Sequence, residues 1–130
     1  MKKVNIIFGD CHSQTADLIC AYLSLVYKDK CEINLLHGKS ISEVVSLVNE
    51  NEFDLFMLVL NNLRFDGSEI RDSLELVNYV KAKYHKPIFA FYGYIQESWK
   101  DVLAVELLHE MPTPIKLVGQ KFKEHVLKED

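Results

Sequence analysis

The sequence predicts an α/β fold: a doubly wound, five-stranded parallel sheet with helices on both faces. Three observations carry that expectation. Short apolar runs alternate five times with amphipathic stretches along the 130 residues, the pattern of strands joined by crossover helices. The run Phe53–Leu60 is apolar except for Asp54 and Asn-free throughout, as a central strand covered on both faces must be. The length suits a single domain over residues 1–130, large enough to bury one core.

Taken in order, Lys3–Phe8 reads as a buried first strand, and Thr15–Val26 as a helix with Leu18, Ala21, Tyr22 and Leu25 at helical spacing. Ser13 stands where an N-cap belongs. Cys31–Leu36 is a second strand ending at His37-Gly38. Ser40 and Glu43 have capping-box spacing and open a helix whose apolar face is Val44, Val45, Leu47 and Val48. After the central strand, Asn61–Gly67 is a loop, with Asp66-Gly67 as turn chemistry. Ser73–Tyr84 is the third helix. Pro87–Tyr92 is a fourth strand, with proline at the position where a missing donor costs least. Gln96–His109 reads as a helix with Trp99, Val102, Leu103 and Leu107 inward. Met111–Ile115 reads as a short fifth strand or extended segment, and Leu117–Leu127 as the last helix. No internal repeat or low-complexity segment interrupts the chain.

Composition narrows the function classes. A net charge of −4 supplies no basic field for nucleic acid. No apolar run approaches the roughly 20 residues of a membrane span, and the amino terminus lacks the pattern of a signal peptide. Three cysteines without a CxxC spacing fit reduced thiols and a cytoplasmic location. Cys20 fits a core and Cys11 a place near a site.

In a doubly wound sheet, ligands sit outside the carboxyl ends of the strands. That rule brings residues 9–13, 61–67, 92–94 and 112–114 to one rim. Asp10 and His12 are the first candidates there. As metal ligands they lack two further partners at a recognisable spacing, so neither a metal nor a catalytic group is expected. As an Asp-x-His pair, "GDCH" resembles the motif of cobalamin-binding domains. That resemblance implies that His12 would ligate cobalt while Asp10 holds its other ring nitrogen. The chain departs from that family at Thr15, at Leu58-Val59-Leu60 and at Tyr92-Gly93, where the family has glycine, serine and paired glycines.

A broader resemblance covers nearly the whole chain. "IFGDCHS" is similar to the "IADDHP" opening of response-regulator receiver domains, a flavodoxin-like family. "FDLFMLVLNNLRFDG" resembles that family's "pDlvllDlnmPgmDG", "KPIFAFYGYIQES" its "pPIIALTGYgqee", and "MPTPIKL" its "lpKPidl". The resemblance implies a phosphorylation pocket at Asp10, Cys11, Val59, Tyr92 and Thr113. In a working receiver these positions carry two acids for Mg²⁺, the phosphoacceptor aspartate, a Ser or Thr, and a lysine. Here Asp10 keeps one acid and the other positions have lost their chemistry. A short slip would bring Asn61 to the acceptor place, and an amide is no better a nucleophile.

The expectation is therefore a pseudo-receiver: not an enzyme, without cofactor, binding protein independently of phosphate. The family's interaction face implies a partner, or a second copy, on Gln96–His109 and Leu117–Leu127, with Trp99 and Lys121 as candidate contacts. The alternatives are a cobalamin-type or other small-molecule binder using Asp10 and His12, and a phosphoacceptor whose aspartate is displaced, with Asp66 the nearby candidate.

Overall fold

The computed structural model describes residues 1–93, 103 and 105–129. Strands β1 (Lys2–Gly9), β2 (Cys31–Gly38), β3 (Leu55–Val59), β4 (Ile88–Tyr92) and β5 (Leu107–Glu110) form one sheet in the order β2-β1-β3-β4-β5. Every neighbouring pair is parallel. Helices α1 (Gln14–Val26), α2 (Ile41–Glu50), α3 (Ser73–Tyr84) and α4 (Ile115–Phe122) connect or follow the strands. A π-helical turn, Lys123–Leu127, continues α4.

Alternation along the strands sorts the apolar residues into two layers. Val4, Ile6 and Phe8 of β1 join Leu55, Met57 and Val59 of β3 in one core, closed by α1 and α4. Ile7, Phe56 and Leu58 point the other way, into a core closed by α2 and α3. All five residues of β3 are buried. Asp54, just ahead of β3, is the charge in that run: its carboxylate accepts from the Asn5 backbone N–H at 2.8 Å, which ties the start of β3 to β1.

The helix starts show where capping works. Ser40 Oγ accepts from the Glu43 N–H at 3.3 Å, and the Glu43 carboxylate reaches back to the Lys39 N–H at 2.7 Å. Asp72 caps α3 through the Glu75 N–H at 2.9 Å. Ser13 occupies the N-cap position of α1 but makes no side-chain cap bond, its backbone already being α-helical. Its expected capping role is corrected accordingly.

Two further expectations are corrected. In α1 the buried residues are Ala16, Ile19, Cys20 and Leu23; Leu18, Ala21 and Leu25 face outward. The helix has two apolar stripes, and the sheet takes the one offset by a residue. The fifth strand is Leu107–Glu110, not Met111–Ile115, so the carboxyl end of the expected helix Gln96–His109 is strand. Pro112 and Pro114 have no N–H to give to a sheet; Leu107 and Leu108, which do, pair with Phe89 and Ala90. Of the rest of that expected helix, residues 96–102 and 104, with Trp99 and Val102, lie outside the described residues, while Leu103 is buried.

Candidate functional site

The strand order reverses direction between β1 and its neighbours β2 and β3, the place where doubly wound sheets open a crevice. Gly9 of β1 pairs with Leu58 of β3, so Asp10 and Val59, one residue further on, leave the two central strands side by side. The chain holds this register beyond the strands: the Leu60 N–H donates to Phe91 O at 2.7 Å, and the Met111 N–H to Tyr92 O at 2.7 Å. Asp10, Val59, Asn61, Asn62, Gly93 and Met111 thereby line a cavity of about 420 Å³ at the carboxyl rim.

Asp10 is only 3% exposed, and a buried carboxylate needs donors. The Asn62 side-chain amide donates to Asp10 Oδ1, and the His12 backbone N–H approaches the same oxygen at 3.5 Å. The backbone around them is fastened too. Cys11 N–H donates to Asn62 O at 2.7 Å and Asp10 N–H to Gly38 O at 3.1 Å; His37 Nε2 donates to Asp10 O at 2.8 Å. Asn61 adopts the left-handed region, φ 63°, which asparagine tolerates better than most residues. That turn sends Asn62 back toward Asp10.

The structure brings together some of the sequence candidates and separates others. Asp10 and Val59 share the cavity. Cys11 and His12 line a neighbouring depression of about 610 Å³ with Lys39, Asn62 and Arg64. Tyr92 is half-buried and packs against the α2–α3 core. Thr113 is displaced from the cavity: its hydroxyl donates to Glu110 O at 3.4 Å and contacts Met111 Sδ at 3.2 Å. Because β5 ends at Glu110, the residue directly after the fifth strand is Met111, and Met111 reaches the cavity where the expectation placed Thr113.

Asp66 lies elsewhere. Its carboxylate accepts from the Ser42 backbone N–H at 3.1 Å and from the Ser42 hydroxyl, at the start of α2. The Ser42 hydroxyl, then Ser40, hold its carboxyl below the ordinary value of 3.8. It is an anchor between the β3–α3 loop and α2, a role that turn chemistry alone did not reveal. Asn62 is the other residue missed from sequence. It sits 52 positions from Asp10, and no local pattern links them.

Chemically, the cavity offers one carboxylate already satisfied by an amide, an aliphatic side chain at the end of β3, and a thioether at the end of β5. Magnesium prefers near-octahedral oxygen coordination and usually takes more than one carboxylate or phosphate. Among the described residues no three His, Cys, Asp or Glu side chains converge on one point. The residues here do not fit the Mg²⁺ that a receiver pocket implies. Valine has no lone pair with which to accept a phosphoryl group. The corrinoid reading is not favoured either: Asp10 turns to Asn62, and its contact with His12 runs through backbone, not through the imidazole.

The chain matches no protein-family model and no curated protein. Solved structures do resemble it. A CheY-like response regulator receiver domain protein from Methanospirillum hungatei JF-1 superposes with a TM-score of 0.75 at 13% identity, over 98% of this chain and 96% of that one. The BeF3-activated N-terminal receiver domain of Klebsiella pneumoniae RstA gives 0.72 at 14% identity, over 94% and 97%. A DNA-binding response regulator of the LuxR family from Staphylococcus aureus gives 0.72 at 10% identity, over 93% and 97%. Together with the strand order and the parallel pairing, these likenesses show that the chain has the fold of a response-regulator receiver domain.

Proposed function

We propose that the chain is a receiver-like signalling module that acts through protein–protein contact and is not switched by phosphorylation. One observation carries the reading. At the end of the central strand, where a receiver holds its phosphoacceptor, stands Val59, beside an Asp10 whose carboxylate is occupied by Asn62.

A receiver's phosphate works by shifting a conformational population. A cavity that cannot take the phosphate cannot bias that equilibrium, yet the sheet and its helices still present surfaces. The mild negative charge argues for a protein partner over nucleic acid. The module performs no catalysis of its own in this reading.

The test is incubation of the purified protein with acetyl phosphate and Mg²⁺, followed by intact-mass measurement. The expected result is an unchanged mass. A phosphoryl adduct mapped to Asp10, Asp66 or any other carboxylate would overturn the proposal.

A further inference from the structure

The amino end of the sheet, opposite the rim, holds a second concavity. Strand β1 pairs with β2 from Lys2 onward but with β3 only from Ile6, so it overhangs β3 and leaves a step. Helix α3 packs on one face of the sheet and the π-helical turn on the other, and both end beside that step. Between them lies a pocket of about 560 Å³, a size that suits a small ligand.

The charge of this pocket runs against that of the chain. Four lysines, Lys2, Lys81, Lys86 and Lys128, line it with two acids, Asp54 and Glu106, in a protein of net charge −4. Both acids are engaged. Asp54 accepts from the Asn5 N–H at 2.8 Å, and Glu106 lies 3.6 Å from the His125 ring. Among the described residues, no carboxylate stands within ion-pair distance of the four lysines. The carbonyls that end the two helices supply about half a negative charge each, too little to balance four ammonium groups even with the acids added.

The backbone points the same way. His85 ends α3 and Lys128 ends the π-helical turn, both left-handed, at φ 51° and 57°. Glycine is the default at such a helix end, because a Cβ is strained there. Both turns instead carry a residue able to bear positive charge, and both residues line the pocket.

The lysines also select the ligand. They come from the start of β1, from α3, from the turn before β4 and from the end of the π-helical turn, so the cations stand around the pocket and not at one point. A single small anion cannot meet them all, whereas a run of linked phosphates can. No arginine lines the pocket, so no planar fork is offered to a peptide carboxylate. An ammonium group is a point charge that takes a phosphoryl oxygen from any side. We propose that the amino-end pocket binds a compact polyanion of two or more linked phosphates, free or carried by a nucleotide. The site shares no residue with the rim cavity and stands independently of the reading of that cavity.

Amide NMR titration with sodium tripolyphosphate, at low ionic strength and without Mg²⁺, tests this. Saturable shifts are expected at Lys2, Lys86, Ile88 and Val126, with a dissociation constant on the order of 100 μM, while Asp10, Val59 and Asn62 stay in place. Orthophosphate should bind at least about tenfold more weakly, and added salt should weaken both. Adenosine triphosphate separates the sources: affinity equal to that of tripolyphosphate supports a site for the phosphates alone, and tighter binding supports a nucleotide. Lys81→Glu and Lys86→Glu should each weaken binding at least about tenfold, and the glutamine variants report instead should either fail to fold. Lys116→Glu, the same charge change at an exposed position outside the pocket, should leave binding within about twofold. Lys128→Gly should weaken binding while holding or raising the melting temperature, because glycine relaxes the left-handed turn; a purely structural Lys128 would leave binding unchanged. Shifts that never saturate, or equal losses in Lys116→Glu and Lys81→Glu, would mean diffuse attraction only and overturn the proposal.

Discussion

The side-chain amide of Asn62 donates a hydrogen bond to the buried carboxylate of Asp10, across the switch point between β1 and β3. This contact makes the rim self-contained. Removing the amide leaves a carboxylate at 3% exposure with one long backbone donor. Asn62→Ala should therefore cost roughly 1–3 kcal/mol. A double-mutant cycle with Asp10→Ala should show the pair coupled, the double variant losing less than the sum of the singles. Urea denaturation measures all four proteins, and additive losses would mean that the contact does not hold the rim.

Val59→Asp tests the end of the central strand. Val59 is 8% exposed, so an aspartate there is largely desolvated and should destabilise the fold by roughly 1–3 kcal/mol. The single change should confer no Mg²⁺ binding. Adding Cys11→Asp should give measurable Mg²⁺ affinity by calorimetry. In that background Met111→Lys should promote phosphorylation by acetyl phosphate, and Thr113→Lys should be less effective, because Met111, and not Thr113, lines the cavity. Equal rescue by both lysines would refute the assignment of the β5 end.

The thiols should differ sharply in reactivity. Burial pushes the Cys20 thiol up to about 12, with nearby Asp17 adding to the effect, and burial also raises that of Cys31. Thiolate is the reactive form. Cys11 is partly exposed. Native protein at pH 8 should thus show one fast thiol toward a disulfide reagent, lost in Cys11→Ser, with the other two released on denaturation.

Asp66 gives a pH signature. Its carboxyl is held below the ordinary 3.8 in the folded protein, so the folded state binds its proton less readily than the unfolded chain. The stabilisation is complete above 3.8 and is lost as the pH falls through the depressed folded value. Asp66→Asn should lower the melting temperature at neutral pH, and the gap to wild type should narrow steadily in acid. A gap that widens in acid would contradict the anchor role.

The sequence reveals these features unevenly. Strand and helix order was readable because alternation of apolar runs is local, and Ser73–Tyr84 agrees with α3 at both ends. Helix α1 resisted because Leu18, Ala21 and Leu25 form as good a periodic stripe as Ile19, Cys20 and Leu23; only the sheet decides between them. The fifth strand resisted because Leu107–Glu110 is four residues long at the sheet edge and sits within a helix-like pattern. At the rim, the placing of Asp10 and Val59 together at the ends of β1 and β3 was legible through resemblance. Asn62 was not, because its role exists only once the turn at Asn61 folds it back onto β1.

The most direct measurement of the central claim is an amide NMR titration with beryllofluoride, a phosphoryl mimic, and Mg²⁺. A cavity that accepts neither ion should leave the resonances of Asp10, Val59, Asn62 and Met111 in place. Saturable shifts at those amides, spreading to the rest of the sheet, would contradict the account and restore the chain to the phosphate-switched receivers.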